Sequence, residues 1–247
     1  MGIELEKITG MPAFCSYYPL PPARYRNVCF QYVYFRADRE AIQRVLPACL
    51  EPAEDGFCAA FGLSACWSAN YGKFEESGLV IKCTYQGQLG YFAPVVFLNS
   101  RSSIPAGREI YGTPKVFAEL EVAMDERIMY TKTRLAGRSV LSIRSTMHRA
   151  ATAEDMPKLQ PSWRLKVIPK ADGTGVDVMQ LIDASNIISD VVVHVCRAGD
   201  GVVEFQPSPI YDLFDFTPRQ YLGAHYLEMD YTEGYGDIVR DFLREPE

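Results

Sequence analysis

The segment "WRLKVIPKADGTGVDVMQLI" (163–182) consists of two apolar runs joined by a short polar stretch. The runs, 163–168 and 176–182, are rich in the residues that β-strands favour. The stretch between them contains Asp172 and Gly173, and an Asp–Gly pair between two such runs is a strong signal for a β-hairpin. This segment therefore predicts two antiparallel strands.

The same kind of pattern recurs along the chain. "LAGRS" (135–139) marks a second hairpin, and "RAGDG" (197–201) separates two further apolar runs. Short strands joined by tight turns favour an antiparallel barrel or sandwich. Together with the first hairpin, the predicted strands are 27–35, 57–67, 79–86, 91–98, 116–124, 128–135, 139–147, 190–196 and 201–206.

Helical signals are few. Residues 37–47 predict a short helix that Asp38 can cap and Pro47 ends, and a second short helix is predicted after Gly236 in the tail 231–245. Prolines make residues 1–24 irregular. We find no repeat, linker or shift in composition, so residues 1–247 are predicted to form a single domain that is mainly β with a few short helices.

Composition excludes several classes of function. The net charge is −6 and the basic residues form no stripe, which is unlike a nucleic-acid-binding protein. No apolar stretch approaches the roughly 20 residues of a membrane span. The seven cysteines contain no C-x-x-C pair and no secretory signal pattern precedes them, which predicts reduced thiols in the cytoplasm. Neither a metal-ligand spacing nor a nucleotide-binding loop occurs, so no metal and no cofactor are expected.

One lysine has an unusual context. "GREIYGTPKVFAEL" (107–120) places Lys115 directly after Pro114 and before an apolar run. If that run is a strand of a closed sheet, alternate side chains point inward. Desolvation favours a neutral amine, which can attack a ketone and form a Schiff base. The alternative is a solvent-exposed lysine at the end of a strand, since most lysines lie at the protein surface.

A carboxylate is the second candidate. Glu76 lies in a turn-like stretch before an apolar strand and could relay protons near a Schiff base. The alternative is a solvated glutamate in a turn. Arg108 and Glu109 are expected to brace the turn before Lys115 through charge-assisted hydrogen bonds.

These segments together resemble the acetoacetate decarboxylase family. "PAGREIYGTPK" (105–115) is similar to the segment that ends in the Schiff-base lysine, and "EESG" (75–78) is similar to the piece that carries an active-site glutamate. "FRADREAIQRVLPACLEP" (35–52) and the stretches 161–186 and 188–205 match other parts of the family in the same order. The resemblance covers residues 24 to 215.

The resemblance implies an antiparallel β-cone or barrel around a buried apolar pocket, assembled as a homo-oligomer. It implies that Lys115 forms the imine and that Glu76 is the retained pocket carboxylate. Tyr111 and Phe61 are expected to line the pocket and contact the substrate.

Three charged residues of the family's pocket are replaced. In acetoacetate decarboxylase the reactive lysine is activated beside another cationic group, but the next residue here is Val116. The position of a second pocket glutamate falls on Phe61. A pocket arginine falls near Val28, where Arg26 could substitute as a substrate-binding residue.

The altered pocket leaves three functions open. The leading hypothesis is a Schiff-base lyase acting on a small 2-oxo acid of the pyruvate type, as an aldolase–dehydratase or a hydratase. The first alternative is a decarboxylase of β-keto acids such as acetoacetate. The second is a non-catalytic relative that binds small molecules. In each case the partner is a small oxo acid rather than a nucleic acid or a membrane.

Overall fold

The computed structural model describes residues 2–244. Met1, the first residue of the predicted irregular segment, and residue 245, the last of the predicted tail, lie outside the described residues, as do 246 and 247. Over the described part the chain is mainly β with two α-helices, so the predicted fold class is confirmed. None of the described helices has the length and apolar character needed to cross a membrane.

The described elements follow the chain in this order. The helices are α1 (Arg39–Val45) and α2 (Ser103–Tyr111). The strands are β1 (Ala23–Arg36), β2 (Glu51–Pro52), β3 (Phe57–Ser68), β4 (Phe74–Tyr85), β5 (Gln88–Phe92), β6 (Val96–Leu98), β7 (Lys115–Phe117), β8 (Glu119–Asp125), β9 (Ile128–Leu135), β10 (Arg138–Thr146), β11 (Arg149–Ala150), β12 (Ser162–Pro169), β13 (Val176–Asp183), β14 (Ile188–Gly199), β15 (Gly201–Phe205), β16 (Gln220–Glu233) and β17 (Asp237–Asp241).

The strands form two sheets. The larger has 13 strands along the order β11-β14-β16-β1-β3-β4-β5-β12-β13-β17, with β2, β6 and β7 attached through β4 and β6. The smaller has the order β15-β10-β9-β8. Most pairs are antiparallel, but β5 with β12 and β6 with β7 are parallel. The pairing of the described strands is an open path rather than the closed barrel that the family resemblance implies.

Both predicted hairpins form, as β9–β10 and β12–β13. The "RAGDG" turn behaves differently. The strand before it, β14, pairs with β16 in the larger sheet, whereas β15 pairs with β10 in the smaller one. A tight turn here moves the chain from one sheet to the other, because the partners of the two strands come from distant parts of the sequence.

Two local predictions were wrong, and one helix was not predicted. The tail after Gly236 is strand β17, which pairs with β13, and not a helix. Glu76 lies inside strand β4 and not in a turn. Residues 103–111 form helix α2, which was not predicted, and the predicted turn before Lys115 follows it at 112–114. Helix α1 was predicted correctly, but Asp38 makes no side-chain cap and instead pairs with Arg219.

One buried amide joins the two sheets. Gln31 on β1 has no exposed surface. Its amide nitrogen donates to the Met129 carbonyl oxygen at 2.8 Å and to Ser145 Oγ at 2.7 Å, and its amide oxygen accepts from Thr131 Oγ1 at 2.8 Å. Buried polar groups are costly unless they are paired, so this network fixes how the smaller sheet lies on β1.

We predict that Gln31→Leu lowers the free energy of unfolding by about 3 kcal/mol, because it leaves a buried carbonyl and two buried hydroxyls without their hydrogen-bond partner. Urea unfolding measures the change. The matched control is Gln43→Leu on the exposed face of α1, which should change stability by less than about 0.5 kcal/mol. Equal effects of the two substitutions would contradict the bridging role of Gln31.

Candidate active site

The backbone that carries Lys115 is set by the end of helix α2. The helix ends at Tyr111 and is followed by Gly112, whose φ of 70° lies in the left-handed region that favours glycine. The next backbone N–H, of Thr113, donates to the Gly107 carbonyl at 2.9 Å. Pro114 then fixes the chain direction, and β7 begins at Lys115.

Strand register brings Lys115 and Glu76 to one face of the sheet. Val96 on β6 pairs with Lys115 on β7 and with Gly78 on β4. Residues paired across strands point to the same face, and so do residues two apart along a strand. Glu76 therefore extends from the same face as Lys115, two strands away.

The two side chains meet. Lys115 Nζ lies 3.1 Å from Glu76 Oε2, and each side chain is only 14% exposed. The same nitrogen donates a hydrogen bond to Ser103 Oγ at 2.9 Å and lies 5.9 Å from the centre of the Phe74 ring. In the resting protein this geometry is that of a shielded ammonium–carboxylate pair.

Gly107 makes room for the Lys115 side chain. A Cβ atom at position 107 would lie 2.4 Å from Lys115 Cδ and 2.8 Å from Cε. The alkyl part of Lys115 thus crosses helix α2 at the one residue of the helix without a side chain. This contact explains why a glycine occupies the interior of a helix, where it is otherwise unfavourable by about 1 kcal/mol.

Lys115 and Glu76 face a partly enclosed cavity. Its volume is about 470 Å³ including the open space at its mouth. Aromatic residues form much of the wall, and four charged side chains converge on it. The lining residues are Tyr25, Leu63, Tyr71, Phe74, Glu76, Ser103, Gly107, Tyr111, Thr113, Lys115, Arg164, Tyr231 and Glu233.

Arg164 is the second cation of the cavity. It extends from β12, donates to Thr113 Oγ1 at 2.8 Å, and lies over the Tyr111 ring at 5.6 Å. Burial lowers the pKa of Arg164, and the nearby charges of Glu233 and Glu76 act in the opposite sense. Within residues 2–244 it forms no ion pair, so most of its five N–H donors remain available to a ligand.

Glu233 is the second carboxylate. It lies at the end of β16 and accepts a hydrogen bond from the Tyr25 hydroxyl at 2.9 Å. Tyr25 stacks on Tyr231, with ring centres 4.6 Å apart. Burial, followed by the charge of Glu233, raises the pKa of Tyr25 well above its ordinary value. The phenol therefore stays protonated and can act only as a hydrogen-bond donor or neutral acceptor.

The residues predicted from sequence divide into two groups. Lys115, Glu76 and Tyr111 line the same cavity, and the Tyr111 hydroxyl donates to the Gly234 carbonyl at 2.8 Å. Arg26 does not line it. Its side chain is 44% exposed and lies 3.5 Å from Asp230, on the outer side of β1. Phe61 does not line it either, but faces the adjoining groove.

Sequence reasoning missed Arg164 and Glu233. Both lie in segments that look like ordinary strands, far from Lys115 in the chain. The available signal was a polar residue at an inward-facing position of a strand. Which positions face inward could be decided only once the strand pairing was known. Arg108 braces the turn before Lys115 as expected, by donating to the Lys115 carbonyl at 3.2 Å. Glu109 instead accepts a hydrogen bond from the Tyr18 hydroxyl.

Comparisons with known proteins agree with this architecture. The sequence profile of the family described as acetoacetate decarboxylase (ADC) matches residues 10–243. The chain belongs to this family. It is accordingly an enzyme of the lyase class.

Individual relatives cover nearly the whole chain. An acetoacetate decarboxylase of Acidiphilium cryptum is 29% identical over 243 residues, which is 96% of this chain and 97% of the relative. The crystal structure of acetoacetate decarboxylase from Legionella pneumophila is 24% identical, covers 97% of this chain and 96% of its own, and has a TM-score of 0.86. The enduracididine biosynthesis enzyme MppR complexed with pyruvate is 19% identical, covers 95% and 98%, and has a TM-score of 0.79.

The residue after the lysine, Val116, packs against the main hydrophobic core and does not line the cavity. The cation and the carboxylate that accompany Lys115 and Glu76 in the cavity are Arg164 on β12 and Glu233 on β16.

We predict that Gly107→Ala lowers the free energy of unfolding by about 1–3 kcal/mol, because the new methyl group overlaps the Lys115 side chain. In a Lys115→Ala background the same substitution should be neutral, or stabilise by up to about 1 kcal/mol through helix propensity. A double-mutant cycle measured by urea unfolding tests this. An equal effect in both backgrounds would disprove the contact as the reason for glycine.

Proposed function

We propose that Lys115 forms a Schiff base with the ketone of a small oxo acid and that Arg164 holds the carboxylate of this substrate. The observation that carries the proposal is the Lys115 nitrogen, 14% exposed at the side chain, 3.1 Å from Glu76 at the wall of a cavity that Arg164 also lines. Shielding from water, a contacting carboxylate and a guanidinium that forms no ion pair within residues 2–244 together suit imine chemistry on an anionic ketone.

Glu76 moves the protons. The Lys115 ammonium must lose a proton before its nitrogen can attack, and Glu76 is the carboxylate in contact with it. The amine then adds to the ketone carbon, and loss of water leaves a protonated imine in place of the ammonium ion. The imine withdraws electrons from the adjacent carbon, and Glu76 can take a proton from that carbon to form an enamine.

The position of Arg164 favours reactions in which the substrate carboxylate survives. When a β-keto acid loses CO₂, the charge of the carboxylate moves into the imine. A guanidinium that binds this carboxylate stabilises the ground state more than the transition state and so opposes the loss. The site therefore supports a 2-oxo acid lyase, either an aldolase–dehydratase or a hydratase. Pyruvate, bound in the MppR structure, is a 2-oxo acid.

One observation favours decarboxylation of a β-keto acid as the second candidate. The curated relatives of similar length, including the Acidiphilium cryptum protein, are named acetoacetate decarboxylase. In that reaction Lys115 would again form the imine, and loss of CO₂ rather than of a proton would leave the enamine. Glu76 would then deliver a proton to the enamine carbon, and Arg164 would bind the carboxylate only before CO₂ leaves.

A homo-oligomer in the cytoplasm remains our prediction. Strand β14 supports assembly, because it exposes a row of apolar side chains that includes Val191, Val192 and Val193. The seven cysteines are all free, which supports a reducing compartment.

We predict that borohydride traps pyruvate on Lys115 and that Lys115→Arg abolishes the adduct, since a guanidinium is not a nucleophile at neutral pH. Intact-mass and peptide mass spectrometry identify the adduct. The matched control is Lys82→Arg on β4. Lys82 is also partly buried and ion-paired, with Asp55 at 2.8 Å, but lies outside the cavity, so its substitution should not change trapping.

The other outcomes separate the alternatives. Trapping of acetoacetate with release of CO₂, and no turnover of 2-oxo acids, would establish the decarboxylase instead. Binding of small ketones without any adduct would leave a non-catalytic binding protein. An adduct that persists in Lys115→Arg would contradict the role of Lys115.

We further predict that Arg164→Gln raises the pyruvate concentration needed for half-maximal trapping by about 10–150-fold, the equivalent of one charge-assisted hydrogen-bonded contact of about 1.5–3 kcal/mol. The value for an uncharged monoketone such as acetone should change much less. The control is Arg26→Gln, which should leave both values unchanged. A larger effect of Arg26→Gln than of Arg164→Gln would reassign the carboxylate site to Arg26.

A further inference from the structure

The Schiff-base reaction proposed above leaves the cavity residue Glu233 without a role. This carboxylate is partly buried, and it forms no ion pair with the cations that the structure describes. Within residues 2–244 it accepts one side-chain hydrogen bond, from the Tyr25 hydroxyl at 2.9 Å. A carboxylate has about four acceptor positions, so most of those of Glu233 are available to a ligand.

Glu233 lies among aromatic hydroxyls. Its charge is the second cause, after burial, of the raised pKa values of Tyr25, Tyr71, Tyr111 and Tyr231. These phenols therefore stay protonated and can donate hydrogen bonds. A carboxylate in such surroundings is costly unless it is paired, and a bound ligand is one means of pairing it.

Tyr71 provides a donor without an acceptor. It lines the cavity, and its hydroxyl oxygen is buried with no hydrogen-bond partner in the described part of the chain. The hydroxyls of Tyr25 and Tyr111 are already bonded, to Glu233 and to the Gly234 carbonyl. A buried polar group without a partner indicates a missing water or ligand. The cavity thus offers a carboxylate with vacant acceptor positions close to a phenol with an unused donor.

We propose that Glu233 and Tyr71 together bind a hydroxyl group on the fourth carbon of the substrate, which makes the substrate class of this site the 4-hydroxy-2-oxo acids. The proposal rests on the Schiff-base function proposed above and adds the group that the cavity recognises beyond the ketone. A hydroxyl both donates and accepts hydrogen bonds. It donates to Glu233 and accepts from Tyr71, so both unused positions are filled by one group.

Other substrate groups match the pair less well. A second carboxylate is repelled by Glu233. A ketone or ether oxygen accepts from Tyr71 but gives Glu233 no proton to bind. An ammonium ion pairs with Glu233 but has no acceptor for Tyr71, and it shares the cavity with the positive charges of Arg164 and Lys115.

The position of the hydroxyl follows from the proposed chemistry. Arg164 holds the carboxylate of the first carbon, Lys115 forms the imine at the second, and Glu76 takes a proton from the third. The fourth carbon is where a lyase of this kind acts, because aldol addition leaves a hydroxyl there, dehydration removes it and hydration installs it. A site that holds this hydroxyl fixes the rotation of the chain about the bond between the third and fourth carbons.

Three short acids without a ketone test the site independently of imine formation. Ligand-observed NMR titration gives the dissociation constants of butanoate, 3-hydroxybutanoate and 4-hydroxybutanoate. The wild-type protein should bind 4-hydroxybutanoate about 10–150-fold more tightly than butanoate, the gain expected from a hydrogen bond to a charged group. 3-Hydroxybutanoate should show no such gain. Equal dissociation constants for 4-hydroxybutanoate and butanoate, or no binding of either acid, would overturn the proposal.

Substitutions assign the preference to the two residues. Glu233→Gln should lower the preference for 4-hydroxybutanoate over butanoate by about 5–10-fold, because a charge-assisted hydrogen bond becomes a neutral one. Tyr71→Phe should lower it by about 2–10-fold. The matched controls are Glu228→Gln on the same strand and Tyr235→Phe at an exposed position. Neither residue lines the cavity, so a loss of preference in the controls equal to that in Glu233→Gln and Tyr71→Phe would overturn the assignment.

4-Aminobutanoate tests the competing class of ligand. It should bind the wild-type protein more weakly than 4-hydroxybutanoate. Tighter binding of 4-aminobutanoate that is lost in Glu233→Gln would make this a site for a cation and overturn the hydroxyl proposal.

Borohydride trapping of pyruvate separates this proposal from the function on which it rests. An adduct on Lys115, together with equal binding of butanoate and 4-hydroxybutanoate, overturns the hydroxyl site and leaves the Schiff-base function standing. No adduct, together with a preference for 4-hydroxybutanoate that depends on Glu233, refutes the Schiff-base function and supports the hydroxyl site. Glu233→Gln should not raise the pyruvate concentration needed for trapping, since removing a negative charge does not weaken the binding of an anion.

Discussion

The ion pair between Lys115 and Glu76 is the interaction on which the site depends. Bringing an ammonium and a carboxylate out of water is costly, and their mutual attraction offsets the cost only when the geometry is close and other hydrogen bonds are made. Both conditions are met, because the nitrogen lies 3.1 Å from Glu76 and also donates to Ser103. The pair places a carboxylate in contact with the proposed nucleophile before any substrate arrives.

Several parts of the fold serve this pair. The short strand β6 holds β4 and β7 in register, so that both side chains leave the same face of the sheet. Gly107 leaves room for the lysine side chain to cross helix α2. Gly112, in the left-handed conformation, caps that helix just before β7 begins. Arg164 reaches the same cavity from the β12–β13 hairpin and is anchored on Thr113, in the turn that leads to Lys115. The proposed nucleophile and the proposed carboxylate site are thus linked by the hydrogen bond from Arg164 to Thr113.

The strands with the clearest local signals were predicted well. Alternating apolar residues and tight turns are local properties, so both hairpins, β9–β10 and β12–β13, could be recognised without the fold. Helix α2 was not recognised, because its proline and interior glycine resemble a turn and the reason for the glycine is a contact with Lys115. The tail strand β17 was taken for a helix because its pairing with β13 outweighs the weak helical preference of a short segment.

The sequence by itself determined the fold class, the rigid backbone before Lys115 and, through the order of its motifs, the resemblance to a family. These follow from local chemistry: backbone preference, turn residues and short spacings. Only the tertiary structure decided that Arg164 and Glu233 complete the cavity, that Arg26 faces outward and that Phe61 lines the adjoining groove. Strand pairing brings together side chains from distant parts of the chain, and no local pattern specifies which strands will be neighbours.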